Sequence, residues 1–277
     1  MGYKSILTIL TETGQKAQLD AAIAIARRED AHLDVFCLGV DHTQSGYYYA
    51  GASAYVFQEA IDKAMSAASE LEDKVRAYLE GKDMRWSIDS AVAQVGGLST
   101  LIAMKARFSD LVVLGRPYDR EISQDGEALT EASLFEGSAP VLIVPGEIGE
   151  TFGQRILVAW NQSSEALIAV RRAMPFLQAA EAVEVTVIDP SPHSPEGSDP
   201  GSALCQMLTR QGVRAEVAVL ARTMPKISEI IARRATEIGA DMIVMGAYGH
   251  SRFRQAILGG ATRNMLEAAN IPVFMAR

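Results

Sequence analysis

The residues best able to do chemistry lie in one run near the end of the 277-residue chain: Gly246, Gly249, His250, Arg252, Arg254, Gly259, Gly260, Ala261, Thr262 and Arg263. The apolar stretch Met242 to Met245 precedes them, of the kind that forms a central parallel strand covered on both faces. A glycine leaving such a strand lets backbone approach a ligand closely, and open parallel sheets gather ligands beyond the carboxyl ends of their strands. Gly259 and Gly260 then lead into a helix expected to begin near Ala261 or Thr262, whose free N–H groups and dipole suit a phosphate. Arg252, Arg254 and Arg263 can add charge-assisted contacts. The chemistry implied is anion binding, held chiefly by backbone amides. The same glycines would be used equally if they did no more than shape turns and cap a helix.

Other chemistries find little support. The histidines, His32, His42, His193 and His250, show no HxxxH or HExxH spacing, and neither Cys37 nor Cys205 neighbours one, so no metal site is expected. No GxSxG elbow and no GxxxxGK[ST] loop occurs. Ser163 and Ser164 read as the cap of a helix rather than as nucleophiles. His250 can touch a phosphate or act as an acid or base, but it has no visible orienting partner and reads first as a solvated loop residue.

The elements that must position this run belong to a repeat. Residues Lys4 to Thr11 resemble Gln154 to Asn161, Ser109 to Gly115 matches Ala240 to Gly246, and Ala139 to Val144 matches Ile271 to Ala276. Three blocks recur in one order, joined by a short Pro- and Gly-containing linker between 145 and 153. The hydrophobic period alternates between strand-like and helix-like within each copy. Strands are expected near 4–10, 33–40, 84–91, 110–115 and 140–144, then near 155–160, 183–188, 214–220, 242–246 and 272–276. Helices are expected near 14–29, 54–81, 96–107 and 127–136, then near 164–178, 201–212, 225–238 and 261–270. Two five-stranded α/β domains follow, residues 1–146 and 153–277. Extra length in the first copy falls in its second helix and in the loop from Asp41 to Tyr55, where Tyr47, Tyr48 and Tyr49 read as local packing or as a lid or partner contact.

Charge and composition narrow the partners. Lys plus Arg number 26 and Asp plus Glu 34, a net charge of -8 that argues against a broad nucleic-acid footprint. Two cysteines far apart suggest no extracellular disulfide framework. The start, Met1-Gly2-Tyr3-Lys4, carries no secretory signal, and no apolar run approaches the ~18 residues of a membrane span. A cytoplasmic protein without membrane or nucleic-acid partners is expected.

The run Gly246-x2-Gly249-x9-Gly259, in a domain that opens Ile156-Leu157-Val158-Ala159-Trp160-Asn161 and ends Ile271-Pro272-Val273, resembles the universal stress protein family in its tandem two-domain form. The resemblance implies a five-stranded parallel sheet of order 3-2-1-4-5 with helices on both faces, dimerisation through the last strand, and in one branch ATP bound between the first and fourth strands. It assigns nucleotide contacts to Ala159, Trp160, Asn161, Val187, Met245, Gly246, Gly249, His250, Arg252, Gly259, Gly260, Ala261 and Thr262. Two positions depart from the family pattern. Gly260 replaces a Ser or Thr whose hydroxyl meets phosphate, and Asn161 replaces an Asp near adenine, where an amide both accepts and donates. Asp189 is a ribose candidate and equally a turn residue before Pro190.

In the first copy, Arg116-Pro117-Tyr118 follows Gly115, Glu127-Ala128 stands in place of the glycine pair, and Thr11 replaces Asn161. A carboxylate at a helix start occupies or repels a phosphate site. The expectation is ATP, with Mg²⁺ where the nucleotide carries it, in the second domain alone, acting as sensor or regulator. The alternatives are a slow hydrolase using His250, or a structural dimer without nucleotide. Pairing is expected within the chain or between two chains.

Overall fold

The computed structural model describes residues 2–11, 15–42, 54–118, 125–149, 151–190, 199–247 and 260–277. Contacts divide the chain into two compact units, Tyr3–Ala139 and Pro140–Arg277.

The first unit runs β1 (Ser5–Leu10), α1 (Lys16–Glu29), β2 (His32–Asp41), α2 (Ala54–Leu79), β3 (Trp86–Gln94), α3 (Leu98–Ala106), β4 (Leu111–Gly115) and α4 (Gly126–Glu131), which widens into a π turn over Ala132–Glu136. Its strands lie in the order β3-β2-β1-β4, all parallel. Successive strand residues point to opposite faces, so Ser90, which bonds Glu72 of α2, and Asp89, which pairs with Lys105 of α3, mark the two sides. Helices cover both.

The second unit runs β5 (Val141–Val144), β6 (Arg155–Trp160), α5 (Ser164–Arg172), α6 (Met174–Ala179), β7 (Ala182–Ile188), α7 (Ser202–Arg210), β8 (Ala215–Leu220), α8 (Ile227–Glu237), β9 (Met242–Gly246), α9 (Ala261–Ala268) and β10 (Val273–Ala276). Its order is β5-β10-β9-β6-β7-β8. The run β8-β7-β6-β9-β10 is the parallel 3-2-1-4-5 order that the resemblance implied, and β3-β2-β1-β4 repeats its first four places. The added strand β5 pairs antiparallel with β10, Val273 opposite Ile143 and Met275 opposite Val141. β5 and β10 therefore bond to each other within the second unit.

The central strands are buried throughout Leu111–Leu114 and Met242–Met245, as their unbroken apolar sequences require of strands covered on both sides. One carboxylate recurs as a tie. Asp110 accepts the backbone N–H groups of Lys4 and Ser5 at 2.8 and 3.1 Å, and Asp241 accepts those of Gln154 and Arg155, both at 3.0 Å.

The expected helix over 164–178 is two helices, because Pro175 lies in the first turn of α6 and its ring supplies no N–H to continue α5. β3 runs on to Gln94, beyond the expected end, because β2 continues to Asp41 and pairs with it in register from Leu33–Trp86 to Asp41–Gln94. Among the described residues, no helix is long and apolar enough to cross a membrane.

Candidate functional site

β6 and β9 lie side by side, Ile156 beside Met242 and Ala159 beside Met245. From β6 the chain proceeds outward through β7 to β8, and from β9 it proceeds the other way to β10. Where the winding reverses, the helices leave in opposite senses and a crevice opens at the carboxyl ends of the strands.

The residues at that edge have definite local jobs. Trp160 ends β6 and is buried, while Asn161 beyond it is exposed. The Asn161 Oδ1 atom accepts the Ser163 N–H at 3.2 Å, closing a turn in which Gln162 takes a positive φ of 63°. Ser163 then caps α5, its Oγ accepting the Ala166 N–H at 3.1 Å, as the sequence led one to expect. The acceptor of Asn161 is thus engaged in the turn. Its Nδ2 has no hydrogen-bond partner among the described residues.

Gly246 ends β9 under the first turn of α5. A Cβ there would stand 2.5 Å from the Ala166 nitrogen and 2.8 Å from the Glu165 carbonyl carbon. Only glycine lets the helix lie this close to the strand end. Met245 is buried beside it, and Val187 is buried at the end of β7. Asp189 holds a positive φ of 47°, the conformation of a turn residue.

α9 begins at Ala261. Its N-cap is Gly260, in extended conformation with no side-chain cap bond, so no N-cap side chain serves the first amides of the helix. Thr262 is buried one residue inside the helix and is not its cap. Arg263 pairs with Glu267 one turn on, at 2.9 Å. α9 leads into β10, which is parallel to β9, so the helix runs back along the sheet and starts at the edge where β9 ends. Gly249, His250, Arg252, Arg254 and Gly259 lie outside the described residues, as do Tyr47, Tyr48 and Tyr49. No cluster of three or more His, Cys, Asp or Glu that could hold a metal occurs among the described residues.

Residues 153–277 match the model of the Universal stress protein family. The second half of the chain is a universal stress protein domain. A universal stress protein of Synechocystis sp. is 33% identical over 72 residues, 26% of this chain and 24% of that protein, so the match spans about a quarter of the relative's length. A universal stress protein from Archaeoglobus fulgidus superimposes with a TM-score of 0.71 at 14% identity, over 98% of this chain and 96% of that one. A protein of unknown function from Pseudomonas aeruginosa does so at 0.61 and 16% identity, over 99% and 92%. At these identities the likeness to the solved structures is one of fold.

The first copy shares the fold of the universal stress protein domain but closes the corresponding crevice. Gln18, the third residue of α1 as Ala166 is of α5, is buried between the ends of β1 and β4. Its Nε2 donates to Thr8 Oγ1 at 2.9 Å and to the Ile9 carbonyl at 2.8 Å, and its Oε1 accepts the Gly115 N–H at 2.7 Å. Gln15, also buried, accepts the Thr11 N–H through Oε1 at 2.7 Å. At the start of α4, a Cβ on Gly126 would stand 2.8 Å from Pro117 Cα, so the chain leaving β4 packs directly on the helix start. Asp125 holds the N-cap position 3.4 Å from His42 Nε2, its carboxyl raised above the usual range by burial, against the opposing pull of His42. The expected carboxylate at this helix start is thus two, Asp125 and Glu127 in the first turn. Gln15 and Gln18 escaped the sequence reading. Their signal is a pair of amides on the inner side of α1 where α5 offers Ser163 and Ala166.

Proposed function

We propose that the second copy binds an adenine nucleotide, ATP foremost, in the crevice at the ends of β6 and β9, and that binding acts as a signal rather than as a step in turnover. The observation that carries this reading is the asymmetry between the copies. The first fills its crevice with Gln18 and sets Asp125 at the helix start, whereas the second presents Ala166 and the uncapped Gly260. Family membership of residues 153–277 and the glycine run support it.

In this reading the triphosphate meets Gly249, Gly259, Gly260 and the first amides of α9, with Arg252 nearby, and His250 contacts phosphate. The base lies by the end of β7, where Val187 stands, and Asn161 offers the donor end of its amide. A nucleotide held this way shifts whatever equilibrium distinguishes its bound and free forms, and that requires no catalytic base.

The test is to release any ligand from the purified native protein by heat, identify it by mass spectrometry, and titrate ATP into wild type and Gly249→Asp. Released adenine nucleotide, with ATP binding lost in the variant, is the expected outcome. Absence of both ligand and binding overturns the reading, and ADP formation abolished by His250→Ala would replace it with hydrolysis.

A further inference from the structure

The second unit carries a bare sheet edge. β10 is flanked by β9 and β5, so both of its sides are taken, whereas β8 pairs with β7 and no strand among the described residues lies on its other side. The Val183 and Asp189 N–H groups donate to the Arg214 and Leu220 carbonyls at 2.9 and 2.8 Å. In a parallel ladder this turns the even-numbered residues of β8 toward β7 and directs the N–H and C=O groups of Ala215, Val217 and Val219 outward. The adjoining helix is short. α7 has 9 residues, where α2 in the same place of the first unit has 26. A groove of about 350 Å³ opens between α7 and β8, lined by Cys205, Gln206, Thr209, Arg210 and Val217 among others.

The sequence of β8 suits the addition of a strand. Proteins ordinarily blunt an edge with lysine, proline or a bulge. Ala-Glu-Val-Ala-Val-Leu contains neither lysine nor proline, its register with β7 runs unbroken from Ala215 to Leu220, and its one charge, Glu216, is exposed. Val219, apolar and β-branched, is 52% exposed on this edge. The edge of the first unit is guarded by contrast: Ser87, Asp89 and Ser90 interrupt β3, and Lys105 of α3 pairs with Asp89.

We propose that β8 pairs antiparallel with β8 of a second copy of this chain, about a two-fold axis at Val219. Charge selects the register. Because the outward groups belong to odd-numbered residues, a two-fold pair sets odd residues opposite odd ones. Val217 opposite itself leaves Glu216 against Ala218, and Val217 opposite Val219 sets Arg214 against Arg222, like against like. Val219 opposite itself sets Glu216 against the partner's Arg222, twice by symmetry. In that register the odd-numbered positions form the hydrogen-bonded pairs, and the glutamate meets the arginine across a non-hydrogen-bonded pair, where side chains come closest. Arg222 gives Nη2 to the Pro225 carbonyl at 2.8 Å, which leaves its other N–H groups for the carboxylate. The exposed Val219 is covered by its symmetry mate. The contact uses neither the nucleotide crevice nor β10 and does not depend on them.

Sedimentation velocity of the full-length protein, without nucleotide, over about 1–500 μM tests this. A reversible monomer–dimer equilibrium is expected, with a dissociation constant of about 10–100 μM, as suits a small interface. Val219→Lys sets two cations at the axis and Glu216→Arg sets arginine against arginine, so each should raise that constant by about tenfold or more. Combining Glu216→Arg with Arg222→Glu exchanges the charges and should restore it to within about threefold of wild type. Should Val219→Lys fail to melt cooperatively, the charge exchange decides alone. A monomer at every concentration, as expected of an edge kept for a strand of another protein, overturns the proposal. So does a dimer indifferent to both single substitutions, or a loss in Glu216→Arg that Arg222→Glu does not repair.

Discussion

The Oε1 atom of Gln18 accepts the Gly115 N–H at 2.7 Å, while the same amide donates to Thr8 Oγ1 and to the Ile9 carbonyl. One side chain thereby serves two neighbouring strands at the point where, in the other copy, α5 lays its own backbone against Gly246. Gln18→Ala strands a buried N–H and removes a donor from two buried acceptors. It should lower unfolding free energy by about 1–3 kcal/mol in a chemical denaturation series, a larger loss than that of Lys16→Ala, whose ion pair with Asp20 is exposed.

Arg234→Ala should be among the most damaging single changes in the second unit. It leaves Glu184 buried without its cation, a situation that costs about 3–5 kcal/mol. Adding Glu184→Gln should recover part of the loss, and a double-mutant cycle measures the coupling.

The same pair sets a pH dependence. Burial works to raise the Glu184 carboxyl, but hydrogen bonds from Arg234 and Thr186 and the arginine's charge outweigh it, so the native carboxyl lies below the ordinary glutamate range. Because the folded value is depressed, the stabilisation is fully present above the unfolded value of about 4.3 and is lost as pH falls through the native value. Denaturation midpoints of wild type and Glu184→Gln should therefore converge as pH drops below about 4 and stay apart near neutrality. A constant gap across that range would contradict the assignment.

Asp110 and Asp241 each hold the start of a first strand through two backbone N–H groups. Substituting either by Ala should cost about 1–3 kcal/mol, with Asn losing less because one acceptor remains. Amide hydrogen exchange at Ser5 and Arg155, respectively, reports the local opening.

Burial above all, and then the nearby charge of Glu72, push the Cys37 thiol up to about 12. Cys37 should therefore stay unmodified by a thiol reagent at pH 8 in the native protein, with Cys205, which is partly exposed, reacting first. Peptide mapping after alkylation checks the order.

The sequence made the repeat and most of the strands legible because buried parallel strands write unbroken apolar runs, as in Leu111–Leu114 and Met242–Met245. The Ser163 cap was legible for the same reason, since a hydroxyl at that place has one efficient use. What escaped depends on contacts between distant segments. Gln18 reaches Gly115, and Arg234 reaches Glu184, across intervals that no local period marks. Gly246 was read as a ligand-facing glycine, and the fold adds a packing demand: Gly246→Ala should destabilise by about 1–3 kcal/mol through overpacking against Ala166, whether or not nucleotide is present.

The unequal use of two copies of one fold is tested most directly by the stoichiometry of ATP binding to the full-length chain, measured by calorimetry on wild type and Gly260→Asp. The account predicts one nucleotide per chain, lost when a carboxylate is placed at the N-cap of α9 as Asp125 is at that of α4. Two nucleotides per chain, or one that survives Gly260→Asp, would contradict it.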